Sequence, residues 1–445
     1  MNILQVSTHD HFGGAEAIMQ MLHKGYRDQG DTSTLAFGEK HNAESEGIFL
    51  DRETYGSWSM RQGIALSHFV RRQIPPAWKP NYKKSWGIGF SQPIRMLKRM
   101  AGWEDFDHPV SRKLLDLYRE SHSQNLPDLI HFHTLHGDYF DLRQLPEWAK
   151  EIPLFVTLHD EWMMTGHCGY TLDCERWQTG CGECPYLDSY PAISRDATAW
   201  NFRRKKEILK KSKLRVAAPS KWLLERFRRS PMSEGAIELK HIPNGIDLDI
   251  FRPRDKREAR QILGLPDEGS IFLFAARGGR SNRYKDYQTI EEALLRIKLQ
   301  RPQEKLLLVV LGERAESMEK LGFPVLFESI HRNPERMALF YQAADLYLHA
   351  ANAENYPTVI LEAMGCGTPT IATNVGGISE QIQNEEDGFL VAPQGSEEMA
   401  AKINNLLSDV TVRHQIGRQA SEKARNKFDQ TQMIQLYREW FLKND

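Results

Sequence analysis

Short apolar runs alternate along this chain with stretches in which apolar residues return every three or four positions. That alternation predicts buried parallel strands joined by amphipathic helices, an α/β class. In the first half, strands are expected at residues 2–8, 128–132, 154–158 and 214–218. In the second half they are expected at 271–276, 306–311, 345–349 and 369–373. Between the halves, Pro243, Gly245 and Pro253 break regular structure. The domain boundary is therefore placed between residues 245 and 246, giving domains of 1–245 and 246–427. A closing helix over 428–445 carries Met433, Leu436, Tyr437, Trp440 and Phe441 as one apolar stripe. Two such domains in tandem would leave a cleft at the carboxyl ends of their sheets, where ligands of α/β folds bind.

Size and charge narrow this picture. At 445 residues the chain suits two domains of about 200 residues each. A formal net charge of −1 argues against a dedicated nucleic-acid binder, so no nucleic-acid partner is expected. No apolar run approaches the roughly 20 residues of a membrane-spanning helix, and no signal-peptide pattern opens the chain. The expectation is a cytoplasmic protein, or one peripheral to the inner face of a membrane. Residues 57–103 contain no Asp or Glu, but carry Arg61, Arg71, Arg72, Lys79, Lys83, Lys84, Arg95, Lys98 and Arg99 among Trp58, Phe69, Trp78, Trp86 and Trp103. This composition suits either contact with an anionic membrane or a solvated insertion with a small core of its own. The basic run 203–215 reads as a solvated helix face.

Candidate chemistry is densest at Glu354-Asn-Tyr-Pro-Thr-Val-Ile-Leu-Glu362. Glu354 falls in a polar loop after a strand, and Glu362 falls within a helix that starts near Pro357. Both then face the open end of the sheet, beside a helix N-terminus suited to a sugar diphosphate. Gly365, Gly367 and Pro369 bring the chain tightly into the next strand. Gly13 and Gly14, after the first strand, allow close backbone approach to a phosphate or an acceptor, although the Gly-x-Gly-x-x-Gly dinucleotide fingerprint is absent. His131 and His133 alternate on one strand and read as packing residues, or as supports for a residue that contacts the ligand, rather than as ligands themselves.

Four of the five cysteines, Cys168, Cys174, Cys181 and Cys184, crowd one short stretch beside His167. In a reducing compartment such a cluster favours a structural zinc over disulfides, with free thiols, a conditional disulfide or an iron–sulfur cluster as alternatives. Cys366 lies in an apolar helical run and reads as core.

The stretch 354–373, with Gly376, Gly377 and Glu380 after it, resembles the signature of retaining glycosyltransferases of family 4. So do Ile242-Pro-Asn-Gly-Ile-Asp247, Pro219-Ser-Lys-Trp222, Gly13-Gly-Ala-Glu16 and Tyr341-Gln-Ala-Ala-Asp345. The resemblance runs nearly end to end. It implies the GT-B fold, with two Rossmann-like domains facing across a cleft, the first for the acceptor and the second for a nucleotide-sugar donor. The closing helix would pack back on the first domain. Glu354 would lie against the donor sugar and Glu362 would bind the ribose hydroxyls. Asn355, Tyr356, Pro357, Thr358 and Val359 would present backbone amides. Tyr356-Pro357 replaces the family's usual Phe-Gly, and Pro357 has no N–H to offer. Gly279-Arg280 and Lys285 resemble the basic pair that holds the diphosphate, where fixed cations stabilise a leaving oxygen without a metal. Arg277 and Arg283 stand close enough to compete for the role of Arg280, and Asp286 stands where the family has glycine. His159 resembles the histidine that contacts the donor sugar, though a strand-end histidine can equally be structural.

The cysteine stretch resembles a loop in a subset of bacterial members. The resemblance implies transfer from a UDP- or GDP-sugar to a glycan or polyprenyl-linked acceptor, as in exopolysaccharide, O-antigen or lipopolysaccharide assembly, with no catalytic metal. Asp247-Leu-Asp249 has the Asp-x-Asp form of metal-dependent transferases, but its place in the connector marks it as linker. The rival readings are a sugar-nucleotide epimerase, a phosphorylase, or a noncatalytic partner that keeps the fold.

Overall fold

The computed structural model describes residues 1–445 apart from 12, 43, 52–54, 56–60, 63–92, 105, 107, 109, 316–321, 330–332 and 445. Among the described residues, two sheets form, both parallel throughout. The first has the order β3-β2-β1-β4-β5-β6-β7, and the second has the order β10-β9-β8-β11-β12-β13. The strands of the first are β1 Asn2–His9, β2 Thr32–Glu39, β3 Ile48–Phe49, β4 Leu129–Phe132, β5 Leu154–Thr157, β6 Leu214–Ala218 and β7 Ala236–His241. Those of the second are β8 Ser270–Ala275, β9 Leu306–Leu311, β10 Val325–Glu328, β11 Leu346–His349, β12 Thr370–Thr373 and β13 Phe389–Val391.

All eight strands expected from the apolar runs are present within a residue or two of their bounds. The five others (β2, β3, β7, β10 and β13) include the edge strands of both sheets. An edge strand is covered less completely and needs no continuous apolar run. β7 reads Ala-Ile-Glu-Leu-Lys-His, with no residue fully buried.

In the second sheet, successive residues feed opposite cores. Leu273, Ala275, Val309, Leu311, Tyr347 and Ala372 pack on one face with the helices Pro334–Ala343 and Thr358–Gly365. Phe272, Phe274, Leu308, Val310, Leu346 and Ile371 pack on the other with Tyr287–Gln300 and Ser396–Ser408. Burial on both faces is why these strands are unbroken apolar runs.

The strand order reverses between β1 and β4 in one sheet and between β8 and β11 in the other. Loops leaving neighbouring strands on either side of such a point diverge and open a crevice beyond the carboxyl ends. The loops in question are 10–13 and 133–141 in the first sheet, and 276–286 and 350–357 in the second.

The chain divides into one compact unit of residues 1–218, 223–241 and 438–445, and another of 219–222 and 242–437. The boundary differs from the expected one at residue 245, because Ile246 bridges Asp429 and the Gly245 amide meets Met433 Sδ at 3.2 Å. The closing helix, Gln430–Leu442, is likewise divided at Arg438. From there it joins the first unit, with Trp440 and Phe441 edge-on to Phe155 and the Arg438 guanidinium on Asp31 at 2.6 Å. Leu436, expected in the buried stripe, is exposed, and Ile434 is buried instead.

The basic run 203–215 also departs from expectation. Lys205, on the helix Thr198–Leu209, is fully buried. Its ammonium donates to the Trp162 and Thr165 carbonyls at 2.8 and 3.0 Å, stands 3.5 Å from the Trp162 ring centroid, and pairs with Glu104 at 3.5 Å. A buried lysine this fully coordinated ties the loop after β5 to the helix. No described helix is long and apolar enough to cross a membrane.

Candidate active site

Lys285, His349 and Glu354 come together at the switch point of the second sheet. β8 and β11 are hydrogen-bonded neighbours. Their following loops stay joined, since Lys285 bridges Ala351 and the Asp286 amide donates to the Ala350 carbonyl at 3.0 Å. This pairing sets the Lys285 ammonium directly on the Glu354 carboxylate. His349, the last residue of β11, has its Nε2 3.3 Å from the same Glu354 oxygen, while its Nδ1 lies 3.0 Å from the Tyr347 hydroxyl. Burial drives the His349 pKa well below its ordinary value, and Lys285 pushes the same way. The ring is therefore neutral, and its Nε2 also lies 3.4 Å from the Lys285 ammonium. Burial also lowers the Lys285 pKa to about 7, and the carboxylate in contact works against that shift. His349 was absent from the sequence expectations. It sits inside an apolar run, and its only signal was its place at a strand end.

Glu354 is held from behind by glycine. Gly376 has φ +56°, and a Cβ there would fall 1.7 Å from the Glu354 carbonyl oxygen. The loop after β12 therefore lies flat on the Glu354 backbone, and the Gly377 amide donates to the Asn355 carbonyl at 3.0 Å. Pro357 stands at the N-cap of the helix Thr358–Gly365, so Thr358 and Val359 open that helix. The first amides of a helix have no acceptor within it and remain available to a ligand. The Tyr356 ring packs in the core, edge-on to Phe428, so a contact from Tyr356 can come only from its backbone. Asn355 is buried as well. Glu362, one turn into the helix, accepts from the Tyr341 hydroxyl at 2.8 Å. Burial raises its pKa, while Tyr341 and Thr358 pull it down.

Arg280 makes its contacts elsewhere. Its guanidinium forms a two-point pair with Glu313, at 3.0 Å from Nε and 2.6 Å from Nη2, and stacks over Phe327. Gly279 has φ +52°, and a Cβ there would strike Glu313 at 2.6 Å, so glycine permits this closure. Arg283 lies over the Tyr284 ring. Asp286 caps the helix Tyr287–Gln300 by accepting from the Thr289 amide, which accounts for a carboxylate after Lys285.

Asp345, in the Tyr341-to-Asp345 motif, is structural: it takes Arg260, Lys256 and the Ile271 amide at 2.6–2.8 Å. Glu380 accepts from the Lys221 and Trp222 amides at 2.8 and 2.7 Å, capping the helix Lys221–Arg229. In the connector, Asp247 caps its own turn through the Asp249 amide.

In the first unit, the carboxyl edge is lined by histidines. The Gln5 amide donates to Ser33 and its oxygen faces His133 Nε2 at 3.0 Å, so His133 carries its proton on Nε2. His133 Nδ1 then accepts from His159 Nε2 at 3.1 Å. The neutral His159 ring consequently has Nδ1 as its acceptor atom. Burial lowers the His159 pKa to about 4 and that of His131, bonded to Thr157 at 2.8 Å, to about 3. His136 differs: burial opposes its charge, yet Asp160 at 2.8 Å raises its pKa above the ordinary value. Gly13 caps the helix Gly14–Asp28, and a Cβ on it would stand 3.2 Å from the Glu16 carboxylate.

The cysteine stretch follows β5. Cys181 Sγ accepts from the Gly166 amide at 3.3 Å, Cys184 Sγ accepts from the Tyr186 amide at 3.4 Å, and His167 Nε2 lies 3.4 Å from Cys184 Sγ. Amide donors on sulfur favour a thiolate, but burial pushes the Cys168, Cys181 and Cys184 thiols up, and the four sulfurs do not form a group whose ligand atoms all lie within 4.8 Å of one another. Cys366 is buried in the core, as expected.

Of the basic aromatic segment, residues 57–60 and 63–92 lie outside the described residues, and with them Trp58, Phe69, Arg71, Arg72, Trp78, Lys79, Lys83, Lys84 and Trp86. In the helix Pro93–Met100, Arg95 and Arg99 are bound to Asp138, while Met96, Leu97 and Met100 are exposed. Trp103 stacks on Trp200.

Residues 12–250 match the family described as Glycosyltransferase Family 4, and residues 255–423 match Glycosyl transferases group 1. The Escherichia coli K12 protein assigned to colanic acid biosynthesis as the glycosyl transferase WcaC is 23% identical over 400 residues, covering 86% of this chain and 85% of that one. A D-inositol 3-phosphate glycosyltransferase of Paenarthrobacter aurescens TC1 is 31% identical over 193 residues, 41% of this chain and 46% of that one. The crystal structure of Anabaena HepE in complex with UDP-glucose superposes with a TM-score of 0.62 at 21% identity, covering 99% of both chains.

Proposed function

The chain belongs to glycosyltransferase family 4 and has the GT-B fold, and from that premise we propose that it moves a hexose from a nucleotide sugar to a hydroxyl of a glycan or polyprenyl-linked acceptor, with retention of configuration. The observation that carries this reading is the meeting of Lys285, His349 and Glu354 at the switch point, beside Glu362 and the opening amides of the helix Thr358–Gly365. An arriving diphosphate offers Lys285 and Arg280 a more highly charged partner than Glu354 and Glu313. Lys285 then stabilises the charge that develops on the leaving oxygen. Release from Lys285 frees Glu354 to contact the sugar, and Glu362 accepts from the ribose hydroxyls. His159 Nδ1 is suited to accept a sugar hydroxyl. The leaving phosphate takes the acceptor proton, so no separate base is assigned. HepE, bound to UDP-glucose, makes a uridine donor the first to test, with GDP-sugars second. Similarity to WcaC favours a bacterial extracellular polysaccharide as product.

Two accessory roles belong to this reading. Cys168, Cys174, Cys181 and Cys184 would hold a structural zinc once their sulfurs turn toward one another, and four thiolates would leave no open catalytic position. The exposed Leu97 and Met100, with Lys98 and Arg99 of the same helix, would rest on an anionic membrane that carries the acceptor. The test is release of nucleoside diphosphate from a panel of UDP- and GDP-sugars, with and without acceptor extract. Turnover that needs acceptor is expected with one donor class, and no turnover with any donor rejects the proposal.

A further inference from the structure

The parallel register of the first sheet sets His9, the last residue of β1, directly beside Glu39, the last residue of β2. The chain then turns so that His41 comes back over both. His9 Nδ1 lies 3.0 Å from His41 Nε2, and the Glu39 Oε2 atom lies 3.7 Å from the first and 4.0 Å from the second. Among the described residues this is the group of histidine, cysteine and carboxylate side chains whose ligand atoms close to within 4.8 Å of one another. None of its members has a part in the donor chemistry above.

From this juxtaposition we propose that His9, Glu39 and His41 form a binding site for a divalent transition metal ion, zinc above all. The dimensions support it. A circle through three atoms at these separations has a radius of about 2.1 Å, the usual zinc–nitrogen and zinc–oxygen bond length. An ion that takes a fourth ligand sits out of this plane, so the two rings part and the carboxylate closes in, each by about a few tenths of an ångström. The chemistry agrees, since two imidazoles and one carboxylate make a donor set of the hardness zinc prefers over calcium or magnesium. The short His9–His41 contact carries one N–H between two ring nitrogens. The metal takes its place once that proton moves to the other nitrogen of its own ring.

The frame is also fixed from behind. The Asp10 carboxylate, fully buried, accepts from the amides of His11, His41 and Asn42 at 2.8, 2.7 and 2.9 Å, which holds the His41 backbone in place. The three side chains remain between 12% and 28% exposed, so an ion can enter. Three protein ligands leave a fourth position for water or for an anionic oxygen of a bound molecule. The site lies on the first unit, at the carboxyl end of β1, next to the loop that carries Gly13 and Gly14.

The test uses the full chain, stripped with a chelator and titrated with Zn2+ by calorimetry and with Co2+ by absorption, in wild type, His41→Ala and Glu39→Gln. Both variants should lose one equivalent of metal, or bind it at least about tenfold more weakly. The sulfur-to-cobalt charge-transfer band, which reports the cysteine loop, should be the same in all three. His41→Cys should restore the lost equivalent and add to that band, a response that a merely structural role would not give. Glu39→Gln keeps the test open should His41→Ala fail to fold. Equal stoichiometry and affinity in wild type and both variants would overturn the site. Because the readout is metal binding, the result is independent of whether any sugar donor turns over.

Discussion

The two sheets share a parallel architecture and a strand-order reversal, yet they equip their carboxyl edges in opposite ways. On the first, Gln5, His133 and His159 form a relay of neutral hydrogen bonds. On the second, Lys285 with Glu354 and Arg280 with Glu313 form pairs of opposite charge. A neutral relay fixes which atom of His159 donates and which accepts, and the charge on this edge is confined to the His136–Asp160 pair beside it. Paired ions supply field and are poised to exchange partners, because a buried charge stays only while another charge answers it. The first edge is thus suited to orienting hydroxyls, and the second to receiving phosphate.

Substitutions can break this contrast. The largest loss is expected from Lys285→Ala, about a hundred- to a thousandfold in kcat for donor cleavage, read as nucleoside diphosphate release. An effect below tenfold would mean that the cation does not meet the leaving oxygen. Arg280→Ala should cost about ten- to a hundredfold in kcat/KM, while Glu313→Gln, which frees the guanidinium, should leave KM for the donor unchanged or lower it. On the neutral edge, Gln5→Leu removes the acceptor that sets the His133 tautomer and should lower kcat/KM about tenfold. UDP affinity, measured by calorimetry, should not follow. Tyr341→Phe should have the smallest effect, raising donor KM about threefold by loosening Glu362.

The contrast also has a pH signature. His131 and His159 titrate in the folded chain near 3 and 4, below the ordinary 6.5, so the unfolded chain binds more protons between those values. Their contribution to stability is complete above about pH 6.5 and is lost as pH falls through about 4 and then 3. His136, with a raised pKa, carries the opposite sign. His131→Asn should therefore show a smaller drop in Tm between pH 6.5 and 4.5 than wild type.

How much of this was legible in the sequence depended on local context. Core strands such as Leu306–Leu311 declare themselves because both faces are buried. The strand Ala236–His241, on an edge, does not. Glu354 and Lys285 were each named from motif, but their contact arises from the pairing of β8 with β11, which no spacing along the chain encodes. Lys205 looked like one more cation in a basic run, and its burial is made tolerable by the Trp162 and Thr165 carbonyls, the Trp162 ring and Glu104, all distant from it in sequence. Tyr356 was placed at the donor by position, whereas its side chain fills the core and leaves only backbone for that role. Asp286 departed from the family pattern because it caps a helix, a function visible once the start of that helix is known.

The closeness of Gly376 to the Glu354 carbonyl has a practical consequence for redesign. With no room for even one carbon between them, the loop after β12 cannot vary independently of the loop that carries the glutamate. A graft meant to change which sugar is accepted must therefore transfer both loops together. Exchanging one alone would move Glu354 out of register and remove the activity whose selectivity was to be altered.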